Sequence, residues 1–199
     1  METLVLIAAY LIGSIPFGYI LTKLLLKTDI RKHGSGNIGA TNVLRVLGWK
    51  TALPVFLLDF AKGLAAVMLA KMAADMPLLW LAAGLLAMIG HSFPVFLSFR
   101  GGKSAATGIG VVAALSGWVT LLLIIIAVFV VFLTRYVSLG SITGALAVPL
   151  LFWLFGYDKY YVIFGLCMAL LVIIRHHQNI GRLLRGTESK LGQKASVKG

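Results

Sequence analysis

The chain has 199 residues, 60% of them hydrophobic and only 12% charged, with a formal net charge of +12. This composition excludes an ordinary soluble domain, and apolar runs recurring along the whole length point to an all-α polytopic membrane protein. The single cysteine, Cys167, excludes an internal disulfide. Because the cations lie between apolar runs, membrane orientation and anionic headgroups account for them more economically than nucleic acid does.

Seven apolar segments follow in order: Leu4 to Leu26, Ala52 to Ala70, Met76 to Leu97, Ser104 to Ser116, Trp118 to Leu133, Val137 to Phe155 and Tyr160 to Ile174. Glu2 is the one charged side chain ahead of the first, which is too long for the apolar region of a signal peptide and reads as a retained span. The fourth is short. At 1.5 Å per residue it extends only ~20 Å, so the loop leading into it is expected to dip into the membrane and line a polar cavity. Lys23, Lys27, Arg31, Lys32, Arg45 and Lys50 follow segment one, Arg100 and Lys103 segment three, Arg135 segment five, and six basic residues from Arg175 to Lys198 segment seven. Seven spans therefore place fifteen cations on one side against Lys71 and Lys159 on the other, with Lys62 inside a helix. The positive-inside rule then predicts seven transmembrane helices with the N-terminus outside and the C-terminus cytoplasmic. The chain reads as one domain, 1–199, with a flexible basic tail over 184–199.

Three stretches on the basic side carry unusual chemistry. Gly34-Ser35-Gly36-Asn37-Ile38-Gly39-Ala40-Thr41-Asn42-Val43-Leu44-Arg45 interleaves glycine with neutral hydrogen-bonding side chains and ends in a guanidinium fork suited to phosphate. Gly90-His91 through Thr107 passes from an aromatic run into Arg100-Gly101-Gly102-Lys103, where paired glycines are expected to give a ligand access to backbone N–H groups beside two cations. Arg175-His176-His177-Gln178-Asn179-Ile180-Gly181-Arg182-Leu183 closes segment seven; if the helix continues, His176 and Asn179 share a face. A polar linker, a cytoplasmic turn and a basic helix end are the plain alternatives for the three.

Asp59 and Lys62, three apart in segment two, read as a neutralised pair, although ionisable residues within a span are functional suspects. Ser138 and Ser141 open segment six as anion ligands or as caps. His33 and His91 stand isolated in sequence, and no His or Cys spacing supports a metal site. Gly102-Lys103-Ser104 has Leu97 where a nucleotide loop needs glycine, and Gly-x-Ser-x-Gly is missing. No histidine is followed by aspartate at the His-x-x-x-x-Asp spacing, and only six acidic residues are present. The inventory suits phosphate binding at a membrane surface.

Ser35 through Asn42, Gly90 through Thr107 with Phe93-Pro94-Val95-Phe96 and Gly101-Gly102-Lys103, and Arg175-His176 with Asn179-Ile180 and Arg182-Leu183 resemble, in order, the three motifs of the bacterial acyl-phosphate–glycerol-3-phosphate acyltransferases, the PlsY family. Asp59-Phe60, Lys62-Gly63 and Arg135-Tyr136-Val137-Ser138-Leu139 add agreement between them. Ser104 departs from the glycine common in that family and Arg100 from its lysine. The resemblance implies transfer of a fatty acyl group from acyl phosphate to the 1-hydroxyl of sn-glycerol 3-phosphate, giving lysophosphatidic acid and phosphate. It implies no metal and no acyl-CoA or acyl-carrier-protein donor. The partners it implies are the two substrates and membrane lipids, in a chain expected to be monomeric in the bacterial inner membrane with its site facing the cytoplasm. By motif position Arg45, Lys103, His176 and Asn179 are the expected catalytic residues. Ser35, Gly36, Asn37, Thr41, Gly101, Gly102 and Ser141 are expected to bind substrate.

An acyl phosphate is already activated, so orientation and stabilisation of departing phosphate suffice without an acyl-enzyme. His176 is expected chiefly to bind phosphate, with a substrate phosphate oxygen as an alternative proton acceptor. A small transporter or channel for phosphorylated metabolites is the competing class, and another membrane transferase acting on phosphorylated lipids is a second alternative. Against a transporter or channel stand the missing internal repeat and the clustering of motifs on one face.

Overall fold

A computed structural model describes residues 1–27 and 29–193. Ten α-helices make up the described chain: α1 (Glu2–Ser14), α2 (Phe17–Leu26), α3 (Ala40–Leu47), α4 (Trp49–Ala73), α5 (Pro77–Ser92), α6 (Ala105–Leu115), α7 (Gly117–Thr134), α8 (Val137–Leu154), α9 (Lys159–Arg175) and α10 (His177–Leu184). Among the described residues five stretches are long and apolar enough to cross a membrane: Glu2–Leu25, Trp49–Ala73, Pro77–Leu97, Gly117–Thr134 and Val137–Leu154. The pair α9 and α10, bent by 64°, makes a sixth if it is counted as one span.

Three expected segments are interrupted. The first breaks between α1 and α2 because Pro16 has no N–H to donate and pushes Ile15 into extended backbone. The carbonyl left at Ile15 accepts a 2.8 Å bond from Lys62 Nζ. Lys62 is in turn held 2.8 Å from Asp59 on the same face of α4, and both side chains are buried. This is the neutralised pair expected from their spacing, now with a purpose: it satisfies a break in the neighbouring helix. Segment three leaves regular helix at Ser92 and continues through a tight turn at Val95–Leu97. Segment seven turns at His176, so α9 and α10 are not one straight helix.

The helices pack in two groups that meet along α5 and α6. In one, α4 lies between α1 and α6, and α1 also packs on α5; in the other, α7, α8 and α9 are successive neighbours. Small residues set the spacing between α4 and α6. A Cβ at Gly63 would overlap the Thr107 carbonyl, and one at Gly110 the Phe60 carbonyl. Such close backbone approach is how helices associate where lipid supplies no hydrophobic drive between them. The core joins Met88 of α5, Val111 and Val112 of α6, Val148 and Phe152 of α8 and Val172 of α9. Outward from it, Trp118, Ile125, Phe129 and Phe132 of α7 are exposed, the surface a lipid-facing helix presents.

Side-chain bonds fix which helix ends lie together. Lys71 Nζ, near the end of α4, donates to Ala114 O at the end of α6 (2.7 Å), and Tyr157 Oη reaches Ser116 Oγ (2.8 Å). The opposite end gathers the loop before α3, the loop before α6, the Arg135–Ser138 turn and the segment after α9. The eleven-residue α6 starts beside Ser92, at the end of α5, and finishes beside Lys71 of α4.

Candidate active site

The loop before α3 is built around Asn42, whose side chain is almost fully buried. Its Oδ1 accepts from Ser35 N (2.8 Å), and its Nδ2 donates to the carbonyls of His33 (3.1 Å) and Asn37 (2.8 Å). Gly34 and Gly36 take positive φ, +57° and +72°, to let the chain wrap this amide. Asn37 Oδ1 closes the loop on Gly39 N at 2.8 Å. The interleaved glycines and amides are thus one folded unit that presents Ser35, Asn37 and Thr41 along one wall.

The glycine pair before α6 has a different role from the one expected. Gly101 N donates to Ser92 O (3.2 Å) and Gly102 N to His91 O (2.9 Å), so neither N–H is available to a ligand. The glycines are needed for closeness, since a Cβ at Gly102 would overlap the His91 imidazole and one at Gly101 the His91 carbonyl. On the other side, Arg175 donates through Nε to Gly102 O (3.0 Å) and through Nη2 to Gly101 O (3.1 Å), while its guanidinium stacks on Phe93. His91, isolated in sequence, also meets Asp59 at 3.5 Å. Ser104, where the resembled family favours glycine, sits at φ +59°. Its hydroxyl bonds Ser92 Oγ (2.7 Å) and Met88 O (2.6 Å), contacts that offset the strain of a left-handed non-glycine residue. This scaffold aims Lys103 at α10, where Nζ donates to Asn179 Oδ1.

Glu188 organises the opposite wall, and sequence reasoning missed it. Its carboxylate accepts from Arg182 Nε (2.6 Å), Asn179 Nδ2 (2.7 Å) and Ser138 Oγ (2.9 Å), and lies 3.8 Å from Arg45 Nη2. Arg45 donates further to Ser189 O (3.2 Å). Glu188 lies in the stretch assigned to a flexible basic tail, yet its side chain is 1% exposed. The available signal was a lone carboxylate among the last basic residues of a chain with six acids. Residues 194–199 of the expected tail lie outside the described residues.

Protonation follows from these contacts. Burial, reinforced by the Arg182 charge, pulls Lys103 down from 10.5 to about 8. Burial tends to raise Glu188, but its bonds from Arg182, Asn179 and Ser138 win and hold it below the usual carboxylate value. His176 Nδ1 faces Val172 O at 2.8 Å. A carbonyl only accepts, so Nδ1 carries the proton and neutral His176 offers Nε2 as an acceptor. That constrains the expectation that His176 binds phosphate, because Nε2 can donate a hydrogen bond to it only when the ring is cationic.

These walls enclose a cavity of about 880 Å³. Of the expected residues, Arg45, Lys103, His176, Asn179, Ser35, Asn37, Thr41 and Ser141 line it; Gly36, Gly101 and Gly102 do not. Ser141 bonds Val137 O (3.0 Å) and Ser138 bonds Glu188, so neither caps α8. Beyond the polar end the lining turns apolar, with Ile109, Leu123, Ala127, Val131 and Ala145 between α6, α7 and α8. Among the described residues no group of His, Cys, Asp and Glu has the arrangement of a metal site.

The glycerol-3-phosphate acyltransferase family matches residues 3–186 of the chain. A glycerol-3-phosphate acyltransferase of Thermoanaerobacter pseudethanolicus is 53% identical over 192 residues, 96% of each chain. One from Desulforamulus reducens is 47% identical over 191 residues, again 96% of each. Crystal structures of PlsY, described as an integral membrane glycerol 3-phosphate acyltransferase, are 40% identical over 96% of both chains. They superpose with TM-scores of 0.91 for the glycerol 3-phosphate form and 0.88 for the lysophosphatidic acid form. The chain is a multi-pass membrane protein, and it belongs to the glycerol-3-phosphate acyltransferase family.

Proposed function

We propose that the chain transfers a fatty acyl group from acyl phosphate to the 1-hydroxyl of sn-glycerol 3-phosphate, forming lysophosphatidic acid and inorganic phosphate. One observation carries this reading: Arg45, Lys103 and His176 line the polar end of a cavity whose other end is apolar. A phosphate-bearing soluble acceptor suits the first end and the tail of an acyl donor the second. The relatives' names supply the acceptor, and the PlsY structures were determined with glycerol 3-phosphate and with lysophosphatidic acid.

In this reading Lys103 and Arg45 neutralise phosphate, while Ser35, Asn37 and Thr41 orient the glycerol. The 1-hydroxyl oxygen attacks the acyl carbonyl carbon, and the carbon–oxygen bond to phosphate breaks with its electron pair leaving on phosphate. The hydroxyl proton passes to His176 Nε2 or to a phosphate oxygen. Pre-positioned cations stabilise the departing charge at no cost of reorganisation during the step. Gly36, Gly101 and Gly102 act through the backbone shape of the loops that carry these groups.

The topology belongs to the same proposal. The seven expected segments become seven traversals if α6 crosses despite its length, and this is supported by the side-chain bonds at its start, from Ser104 to Ser92 and Met88, and at its end, from Lys71 to Ala114 and from Tyr157 to Ser116. The charge asymmetry then puts the N-terminus outside and the site at the cytoplasmic face of the inner membrane. A monomeric chain belongs to the same proposal. Purified protein supplied with glycerol 3-phosphate and either acyl phosphate or acyl-CoA provides the test. Product only with acyl phosphate supports the donor assignment, and product only with acyl-CoA rejects it.

A further inference from the structure

The three motif stretches form a wall with two faces. Ser35 and Asn37 line the large cavity, whereas Gly36 and Ile38 between and beside them line a second cavity of about 400 Å³. Lys103 faces the first, while Arg100 and Gly101 face the second; His176 faces the first and its neighbour Arg175 the second. Arg31, from the turn before the first motif, completes the second cavity, together with Phe99.

The charge of this cavity is concentrated and only partly compensated. Asp29 takes Arg31 in a close pair, with Nη2 to Oδ2 at 2.6 Å. Arg175 is fixed by the carbonyls of Gly101 and Gly102, which orient its guanidinium without neutralising it. Arg100 has no side-chain hydrogen bond or ion pair among the described residues. Three guanidinium groups against one carboxylate therefore border a space large enough for a tetrahedral oxyanion. Guanidinium forks match phosphate oxygens in pairs. Phe96 and Phe99, beside Arg100, are both 59% exposed, which suits a position at the lipid interface.

We propose that the cavity lined by Arg31, Arg100 and Arg175 is a second phosphate-binding site, back to back with the catalytic cavity across their shared motif wall. Its ligand class is a phosphate group with at least two free oxygens, either inorganic phosphate or the headgroup of a phosphatidic-acid-like lipid at the interface. The site is separate from the one that holds the acceptor in the proposed reaction, and it survives if the acyl donor assignment fails.

The test is equilibrium binding of radiolabelled inorganic phosphate to the full chain in phosphatidylcholine nanodiscs, with Arg100→Gln, Arg31→Gln and Lys103→Gln variants. The expected result is two phosphates per chain. Arg100→Gln and Arg31→Gln should each weaken one of them about ten- to a hundredfold, and Lys103→Gln the other. Adding phosphatidic acid to the nanodisc separates the sources. If the headgroup is the natural occupant, the Arg100-dependent phosphate is displaced; if free phosphate is, it remains, and either supports the site. A single phosphate per chain that responds to Lys103→Gln alone overturns the proposal while leaving the catalytic reading intact. A single phosphate that responds to Arg100→Gln alone does the reverse.

Discussion

The α-carbon of Gly102 lies against the imidazole of His91, eleven residues earlier, with no room for a methyl group between them. The same His91 supplies the carbonyl that anchors Gly102 N and contacts Asp59. The position of Lys103 is thereby tied to a buried ionic cluster inside the membrane-spanning bundle.

Gly102→Ala should accordingly displace the turn and cost most of the activity, at least tenfold in kcat/KM. His91→Ala removes the opposing ring, so the double variant should recover part of what Gly102→Ala loses. Steady-state kinetics of both single variants and the double, each checked for thermal stability in detergent, decide this. A double variant no better than Gly102→Ala would mean that the contact does not set the turn.

Glu188 is the compensating charge for Arg45 and Arg182. Glu188→Ala leaves those cations facing one another across a buried wall, and breaking one partner of such a network typically costs about 3–5 kcal/mol. A lowered melting temperature together with lost activity is expected. Glu188→Gln, which keeps an acceptor for Asn179 and Ser138, should be intermediate. A Glu188→Ala protein with unchanged melting would show that the network is not required.

Lys103 supplies a pH test. With its value pulled down to about 8, the free protein loses this cation as pH rises through that region, while phosphate binding favours the protonated form. Above pH ~6 a phosphate monoester is mostly dianionic, so the ligand itself changes little. The KM for glycerol 3-phosphate should therefore climb above pH ~8, by up to about tenfold per unit. Lys103→Arg, which keeps its charge, should flatten the climb. An identical profile in both proteins would assign the pH dependence elsewhere.

His176 distinguishes binding from proton transfer. Its Nδ1 is committed to Val172 O, so a base role needs Nε2 to accept, which the neutral ring can do. If substrate phosphate takes the proton instead, His176→Asn and His176→Gln should retain single-turnover rates clearly above His176→Ala. An obligatory base predicts all three down by about 10²–10⁴-fold with glycerol 3-phosphate affinity preserved. The sequence expectation favours the first outcome, and uniform loss would reverse it.

Much of this architecture was legible in the sequence because the signals were local. Apolar runs located every long helix, and dense Gly, Asn and basic residues singled out the stretches that the fold brings to one end. The unread parts are relationships across distance. Glu188 reaches Arg45 across more than a hundred residues, and His91 meets Asp59 from another helix; neither contact leaves a periodic trace. The Gly101-Gly102 pair shows a third limit, since glycine marks close approach without telling whether the neighbour is a ligand or, as here, the protein's own carbonyls and imidazole. The bend at His176 was equally hidden, because no proline or glycine occupies that position.

Single-turnover transfer from acyl phosphate to glycerol 3-phosphate, followed in wild-type and Lys103→Ala proteins from matched preparations, decides whether this chain uses acyl phosphate and whether Lys103 holds phosphate. The wild type should form lysophosphatidic acid and inorganic phosphate in equal amounts. Lys103→Ala should insert normally and run about ten- to a hundredfold slower, the cost of one charge-assisted phosphate contact. Equal rates in the two proteins, or product that forms only from acyl-CoA, would contradict it.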